Sequence, residues 1–210
     1  FGTFNVHAAL LPQYRGAAPI NWAIINGETM TGVTTFFLDH DIDTGRIIKQ
    51  REFPIPDDAD VEYVYDGLMR LGAQIAKDTV DMVREHDGHV PSIPQGESKS
   101  LNNAPKIFRE TCEIDWTKPA KQVYDFVRGL SPIPGAWTMV RLSESGDPQM
   151  MKIYKTAKTG EACDAVPGTL RAGKKNLYIA AADCWLEIIE IQMTGKKRMA
   201  ARDFVNGLKK

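Results

Sequence analysis

The sequence predicts an α/β domain followed by a small closed β-barrel. Residues 3–8, 31–38 and 46–53 are rich in β-branched and aromatic side chains, and a long amphipathic stretch follows at 60–86. Strands succeeded by a covering helix are the mark of α/β architecture. About five short strand-like segments then occupy the second half, with turn residues between them, the spacing of a small barrel. Between these regions, residues 88–105 are rich in Pro, Gly, Ser and Asn and lack periodicity. The charge balance also changes there. Residues 1–98 carry 7 Lys/Arg against 15 Asp/Glu, a net −8, whereas residues 99–210 carry 19 against 12, a net +7. The expected organisation is therefore a first domain at 1–87, a linker at 88–105 and a second domain at 106–210.

The elements follow in order. Residues 3–8 read as a strand with Phe4 and Val6 on one face and Asn5 and His7 on the other. Pro12 has no N–H to donate and stops regular pairing. Pro19 opens a short helix with Ile20, Ala23 and Ile24 as its apolar side, and Gly27 ends it. Two strands, 31–38 and 46–53, flank the polar loop Asp39–Gly45 and suggest a hairpin-like return. Val61, Val64, Leu68, Leu71, Ile75 and Met82 recur at helical spacing, with Asp60 placed to cap the helix. Beyond the linker, residues 119–130 form a helix that Ser131–Gly135 breaks. Strands are expected at 137–142, 151–156, 168–171, 177–182 and 186–193, with tight turns at Ser143–Pro148 and Gly173–Asn176. A closing helix is expected from Met199 to Val205.

Composition narrows the function classes. The chain has 210 residues, 43% hydrophobic and 25% charged, and no run of about 18 apolar residues that would span a membrane. Its three cysteines are scattered, with no Cys-x-x-Cys pair, which argues against a disulfide framework or a zinc site and suits a reducing, cytoplasmic compartment. Phe1 opens the chain where strand-like residues begin almost at once, so the sequence is expected to lack its own N-terminus. The basic second half suits a polyanion such as nucleic acid.

The chemistry concentrates near the start. Asn5 and His7, two apart on a strand, share a face about 7 Å apart. An Asn amide can donate to a developing oxyanion, and a His can move or hold a proton. The loop after the next strand supplies Asp39, Asp41 and Asp43 as candidate carboxylate partners for that His. With no Ser or Cys nucleophile beside them, these groups suit acyl transfer to an external nucleophile. The same Asp-x-Asp-x-Asp run is a poor calcium loop: Thr44 stands where the sharp turn needs Gly, and Gln50 stands where a bidentate Glu belongs. No metal is expected.

Two longer motifs add specificity. The run Asn5-Val-His7 through Leu10-Leu11-Pro12 to Arg15-Gly16 and Pro19, followed by Leu38-Asp39-His40-Asp41-Ile42-Asp43-Thr44-Gly45, resembles the two signatures of the formyltetrahydrofolate-dependent formyltransferases. The resemblance implies Asn5 as carbonyl and oxyanion stabiliser, His7 as the imidazole that steadies the tetrahedral intermediate, and Asp43 as the carboxylate that orients His7. It also implies folate contacts at Ala9, Leu10, Leu11 and Pro12, and along Leu38, Asp39, His40, Asp41 and Ile42. Ala9 departs from the Ser usual in that family. In the second half, Ala104-Pro-Lys106, Ile114-Asp115-Trp116 and Pro132-x-Pro134-Gly135-Ala-Trp137 resemble the C-terminal domain of the methionyl-tRNA and sugar-nucleotide branches. Gly195-Lys196-Lys197-Arg198-Met199 is similar to the ending of the tRNA branch, and Lys174 with Lys175 adds a second basic turn.

The resemblance implies a partial doubly wound, Rossmann-like domain followed by an OB-like barrel. It implies 10-formyltetrahydrofolate as formyl donor and the α-amino group of initiator methionyl-tRNA as acceptor. Lys174, Lys175, Lys196, Lys197 and Arg198 are the expected tRNA contacts. The intact protein is expected to be a monomer with no membrane partner. Rival expectations are a sugar-nucleotide N-formyltransferase, a formyltetrahydrofolate hydrolase, or, for this length of chain, an inactive tRNA-binding piece.

Overall fold

The computed structural model describes residues 2–96, 100–142 and 146–208. The chain divides into two compact units, Phe1–Ile107 and Phe108–Lys210.

The first unit contains β1 (Phe4–His7), β2 (Arg15–Gly16), α1 (Pro19–Ile25), β3 (Met30–Phe37), β4 (Ile47–Pro54), α2 (Val61–Glu85) and β5 (Asn103–Ala104). β1, β3 and β4 form one antiparallel sheet in the order β1-β3-β4. The hairpin-like return is thus present. Both pairings in this sheet are antiparallel, and the loop from β3 to β4 is too short for a crossover of a dozen or more residues.

The two faces of this sheet differ. One face packs against the helices: Val6 and Val33 join Ala23 and Ile24 of α1 and Val64, Leu68 and Ile75 of α2 in one apolar cluster. Asp60 accepts the N–H of Tyr63 at 3.0 Å and caps α2. The Thr79 hydroxyl donates to the Ile75 carbonyl at 2.8 Å and lies 2.9 Å from Thr35 Oγ1, which ties α2 to β3. The register pairs Asn5 with Phe36, His7 with Thr34 and Thr34 with Gln50, so these five residues share the other face.

Residues 9–12 cross that second face. The Leu11 N–H donates to Thr34 Oγ1 at 3.1 Å, the Thr34 hydroxyl donates to the Ala9 carbonyl at 2.7 Å, and Gln50 Nε2 donates to the Leu11 carbonyl at 2.9 Å. Leu10 comes so close to β3 that a Cβ on Gly32 would lie 2.6 Å from Leu10 Cδ2 and 2.2 Å from the Arg51 carbonyl. Only glycine fits there.

The expected linker at 88–105 lies along this unit as a strap. Ile93 and Ile47 exchange backbone hydrogen bonds at 2.8 and 2.9 Å. β5 pairs in parallel with β2, the Asn102 carbonyl accepts the Tyr14 N–H at 2.6 Å, and the Ala104 carbonyl accepts the Ala17 N–H at 2.7 Å. A Pro- and Ser-rich composition signals a lack of helix or strand period; it does not mean that the backbone goes unpaired. Residues 97–99 of the expected linker lie outside the described residues.

The second unit contains a 3-10 turn (Glu110–Cys112), α3 (Ala120–Leu130), β6 (Ala136–Val140), β7 (Gln149–Ala162), β8 (Leu170–Ala172), β9 (Leu177–Ala180), β10 (Cys184–Met193), β11 (Met199–Ala200) and α4 (Ala201–Leu208). The strand order is β6-β7-β10-β9-β8, with β11 also on β10. The expected ring is not closed. β6 and β8 are the two ends of the path, and no pairing joins them among the described residues. Closure depends on strand tilt and stagger across a whole sheet, which local alternation does not encode. The final helix begins two residues later than expected, because Met199 and Ala200 pair with Ile191 and Glu190. Residues 143–145 of the expected turn at Ser143–Pro148 lie outside the described residues.

α3 carries an ionic group into this unit. Asp125 and Arg128 are both buried; Arg128 Nε donates to Asp125 Oδ1 at 2.8 Å, and Lys121 donates to Asp125 Oδ2. Among the described residues, no helix is long and apolar enough to cross a membrane, and no group of three or more His, Cys, Asp or Glu is placed to hold a metal.

Two stability predictions follow from this packing. Ile75→Ala, at a fully buried position of α2, is expected to destabilise the first unit by about 2–5 kcal/mol in urea unfolding with an unchanged m-value. Asp125→Ala is expected to cost about 3–5 kcal/mol by leaving Arg128 buried without its carboxylate. A double-mutant cycle with Arg128→Met should recover most of that loss.

Candidate functional site

The site is built from the segments around β1 and the β3–β4 loop. β1 ends at His7, which is 6% exposed. The ring Nε2 lies 2.8 Å from the Tyr14 carbonyl. A carbonyl can only accept, so Nε2 carries the hydrogen and Nδ1 is the edge left for chemistry. That edge faces Asp43 Oδ2 at 3.6 Å, within ion-pair range but longer than a direct hydrogen bond. Phe36 meets the imidazole edge-on, with ring centroids 6.4 Å apart.

Asp43 is held at both ends. Its Oδ2 accepts the Gly16 N–H at 2.9 Å, and its side chain is 13% exposed. Gly16 sits at φ +124, and a Cβ there would lie 2.5 Å from the Ala104 carbonyl, so glycine is needed for this approach. Low exposure on both sides strengthens the His7–Asp43 interaction relative to water.

Asn5 lies on the same face of β1, two residues before His7, and is exposed. Its Oδ1 accepts the Val6 N–H at 2.9 Å. The carboxamide nitrogen is therefore its outward donor, and it has no protein acceptor among the described residues.

The other candidate residues near this site divide by burial. Ala9 and Leu11 are buried, and Leu10 and Pro12 are half-buried. The segment thus presents mainly backbone and apolar edges. Leu38 and Ile42 are 54% and 77% exposed, and Asp39, His40 and Asp41 are exposed between them. Two apolar side chains in water on a loop beside the site are a ready contact surface for a flat ligand.

Residues 1–80 match the family model described as formyl transferase, and residues 106–209 match the model described as formyl transferase, C-terminal domain. The chain belongs to the formyl transferase family.

The relatives agree with that assignment. The chain is 52% identical over 213 aligned residues to a protein named methionyl-tRNA formyltransferase from Parabacteroides distasonis, covering 99% of this chain and 65% of the relative. It is 42% identical to a protein of the same name from Flavobacterium johnsoniae, covering 99% of this chain and 64% of the relative. The chain therefore spans slightly under two thirds of the curated relatives it matches. Among solved structures, HypX from Aquifex aeolicus in complex with tetrahydrofolic acid has a TM-score of 0.70 at 21% identity, covering 100% of this chain and 36% of that one. An N-formyltransferase from Helicobacter canadensis, in complex with folinic acid and dTDP-3-aminofucose, has a TM-score of 0.68 at 20% identity, covering 93% of this chain and 66% of that one. At these identities the likeness is one of fold.

In the second unit, Lys174, Lys175, Lys196, Lys197 and Arg198 are all exposed. Arg198 is not simply a free cation. Its Nε and Nη2 donate to both carboxylate oxygens of Glu190 at 2.6 and 2.7 Å, and its guanidinium lies 4.2 Å from the Tyr154 ring centroid.

Several residues at the site had no sequence signal of their own. Thr34 and Gln50 look like ordinary strand positions, and Gln95 lies in a stretch of linker composition. Tyr14 enters through its carbonyl, which any residue would supply. Only Gly16, inside the first motif, could have been singled out from its residue type.

Tyr14 also has a buried phenol. Burial, reinforced by a 2.6 Å hydrogen bond to the Glu28 carboxylate, pushes its pKa up to about 12 from an ordinary 10.0. A raised pKa favours the neutral phenol in the fold. The stability it contributes is full below pH 10 and is lost as pH rises through about 12. Urea midpoints should therefore fall more steeply between pH 10 and 12 in the wild type than in Tyr14→Phe. Parallel pH profiles would be the contrary result.

Proposed function

We propose that the protein transfers a formyl group from 10-formyltetrahydrofolate to the α-amino group of initiator methionyl-tRNA. The observation that carries this reading is the meeting of His7 Nδ1 with Asp43 Oδ2, on the sheet face that also bears Asn5. The identity of 52% to a relative named methionyl-tRNA formyltransferase supports the choice of acceptor. The tetrahydrofolate complex of a protein with this fold supports a folate donor.

The neutral amine attacks the formyl carbon, and a C–N bond forms while the carbonyl oxygen takes the negative charge. The Asn5 amide donates to that oxygen, and the His7 imidazole steadies the tetrahedral intermediate beside it. Asp43 holds His7 in orientation and receives the proton released by the amine. Collapse of the intermediate breaks the bond to folate nitrogen, which takes up that proton. Ala9, Leu10, Leu11 and Pro12 form the wall against the folate, and Leu38 to Ile42 cover its pterin side. The three-stranded sheet is the antiparallel end of a larger Rossmann-like sheet in this reading. The second unit is a partly open, OB-like fold that meets the tRNA backbone through Lys174, Lys175, Lys196 and Lys197, with Arg198 stiffening the turn beside Glu190.

Incubating the natural protein with formyl-labelled 10-formyltetrahydrofolate, methionyl-tRNA and an amino-sugar nucleotide tests the reading. Label is expected on the methionine nitrogen. Label on the sugar, or released as formate, would replace this function with another. Asn5→Ala is expected to lower turnover by about 10²–10³-fold, the size of one lost oxyanion donor. For the tRNA contacts, the double variant Lys196→Ala, Lys197→Ala should weaken tRNA binding. The slope of log affinity against log salt should become shallower by about one to two units. An unchanged slope would remove those lysines from the interface.

A further inference from the structure

The geometry points to Gln95 as the positioning residue that holds Asp43 at His7, through two hydrogen bonds from one carboxamide to the backbone of the β3–β4 loop. The inference rests on the proposed formyl transfer and concerns a residue outside both family motifs.

Asp43 needs such support. Its backbone sits at φ 57, in the left-handed region that residues with a Cβ seldom adopt. Such conformations persist only where surrounding contacts enforce them. Gln95 Nε2 donates to the Asp43 carbonyl at 2.7 Å and to the Gly45 carbonyl at 2.8 Å. One amide nitrogen thus uses both of its hydrogens to bracket the turn that aims the carboxylate.

The orientation of that carboxamide is determined by its other partner. Arg15 Nε and Nη2 both donate to Gln95 Oε1, at 3.1 and 2.6 Å. Arginine has only donors, so the oxygen must face Arg15 and the nitrogen must face the loop. The next residue, Gly16, donates its N–H to Asp43 Oδ2 at 2.9 Å. The Arg15–Gly16 pair therefore reaches Asp43 from two sides: directly at the carboxylate, and through Gln95 at the main chain. Gln95 itself is anchored by the strap, where Ile93 exchanges backbone hydrogen bonds with Ile47 and Arg46 donates to Ser92. A slip of the loop would have to break these contacts together.

The test uses the natural protein and three substitutions. Gln95→Leu removes both sets of contacts. Gln95→Glu keeps an acceptor for Arg15 but turns a carboxylate oxygen toward two carbonyl oxygens, so it isolates the clamp on the loop. Asp43→Gly removes the carboxylate while tolerating the left-handed backbone. Both Gln95 variants are expected to lower kcat about tenfold and to leave KM for donor and acceptor within about twofold, the size of two ordinary hydrogen bonds. In the Asp43→Gly background, Gln95→Leu should change kcat by less than about twofold, because the group it positions is gone. A general loss of structure would lower kcat by the same factor in both backgrounds, and that result would overturn the assignment. The nitrogen NMR signal of His7 Nδ1 supplies a readout without turnover. It should move in Gln95→Glu relative to wild type. An unmoved signal would overturn the clamp even if the protein transferred no formyl group, while absent transfer with a moved signal would count against the proposed reaction alone.

Discussion

The first unit is organised around bringing a carboxylate to an imidazole from a different segment. His7 arrives at the end of β1, and Asp43 arrives from the loop between β3 and β4. Their 3.6 Å approach requires a left-handed residue at 43, a glycine at 16 and a donor from the strap. Each requirement falls on a different stretch of chain. The site is thus a tertiary object, although every side chain in it is ordinary.

The sheet makes this possible by dividing labour between its faces. One face is closed by α1 and α2 over Val6 and Val33, with Ile24 and Ile75 packed from the helices, which supplies the burial that keeps three short strands together. The other face can then carry polar groups. Thr34 and Gln50 bond the Leu11 N–H and the Ala9 and Leu11 carbonyls there, which holds the segment against the sheet. Leu11, Phe36 and Ile47 form a small apolar patch beneath it. A buried imidazole is stable in this setting because its Nε2 hydrogen has a carbonyl to meet.

In the second unit, two of the arginines are held by carboxylates and aromatic rings. Arg171 makes a bidentate pair with Glu161 at 2.7 Å and lies 4.2 Å from the Trp185 ring centroid. Arg198 does the same with Glu190 and Tyr154. Such exposed pairs contribute little stability singly, but they fix the direction of flat cations along the sheet.

Local patterning along the chain was enough to mark most of the elements and to propose which side chains carry chemistry. Alternation in β1 put Asn5 and His7 on one face, helical periodicity marked α2 with Asp60 as its cap, and the two motifs singled out Asp43 among three aspartates. The first two features are local, written in spacings of two, three or four residues, whereas Asp43 was marked by resemblance to a family signature. Long-range packing makes the apparent linker a strap, leaves no pairing between β6 and β8 among the described residues, and turns Gln95 toward the Asp43 loop. Hydrogen bonds between residues 52 positions apart leave no period in a sequence, and sheet closure depends on the summed twist and stagger of all its strands.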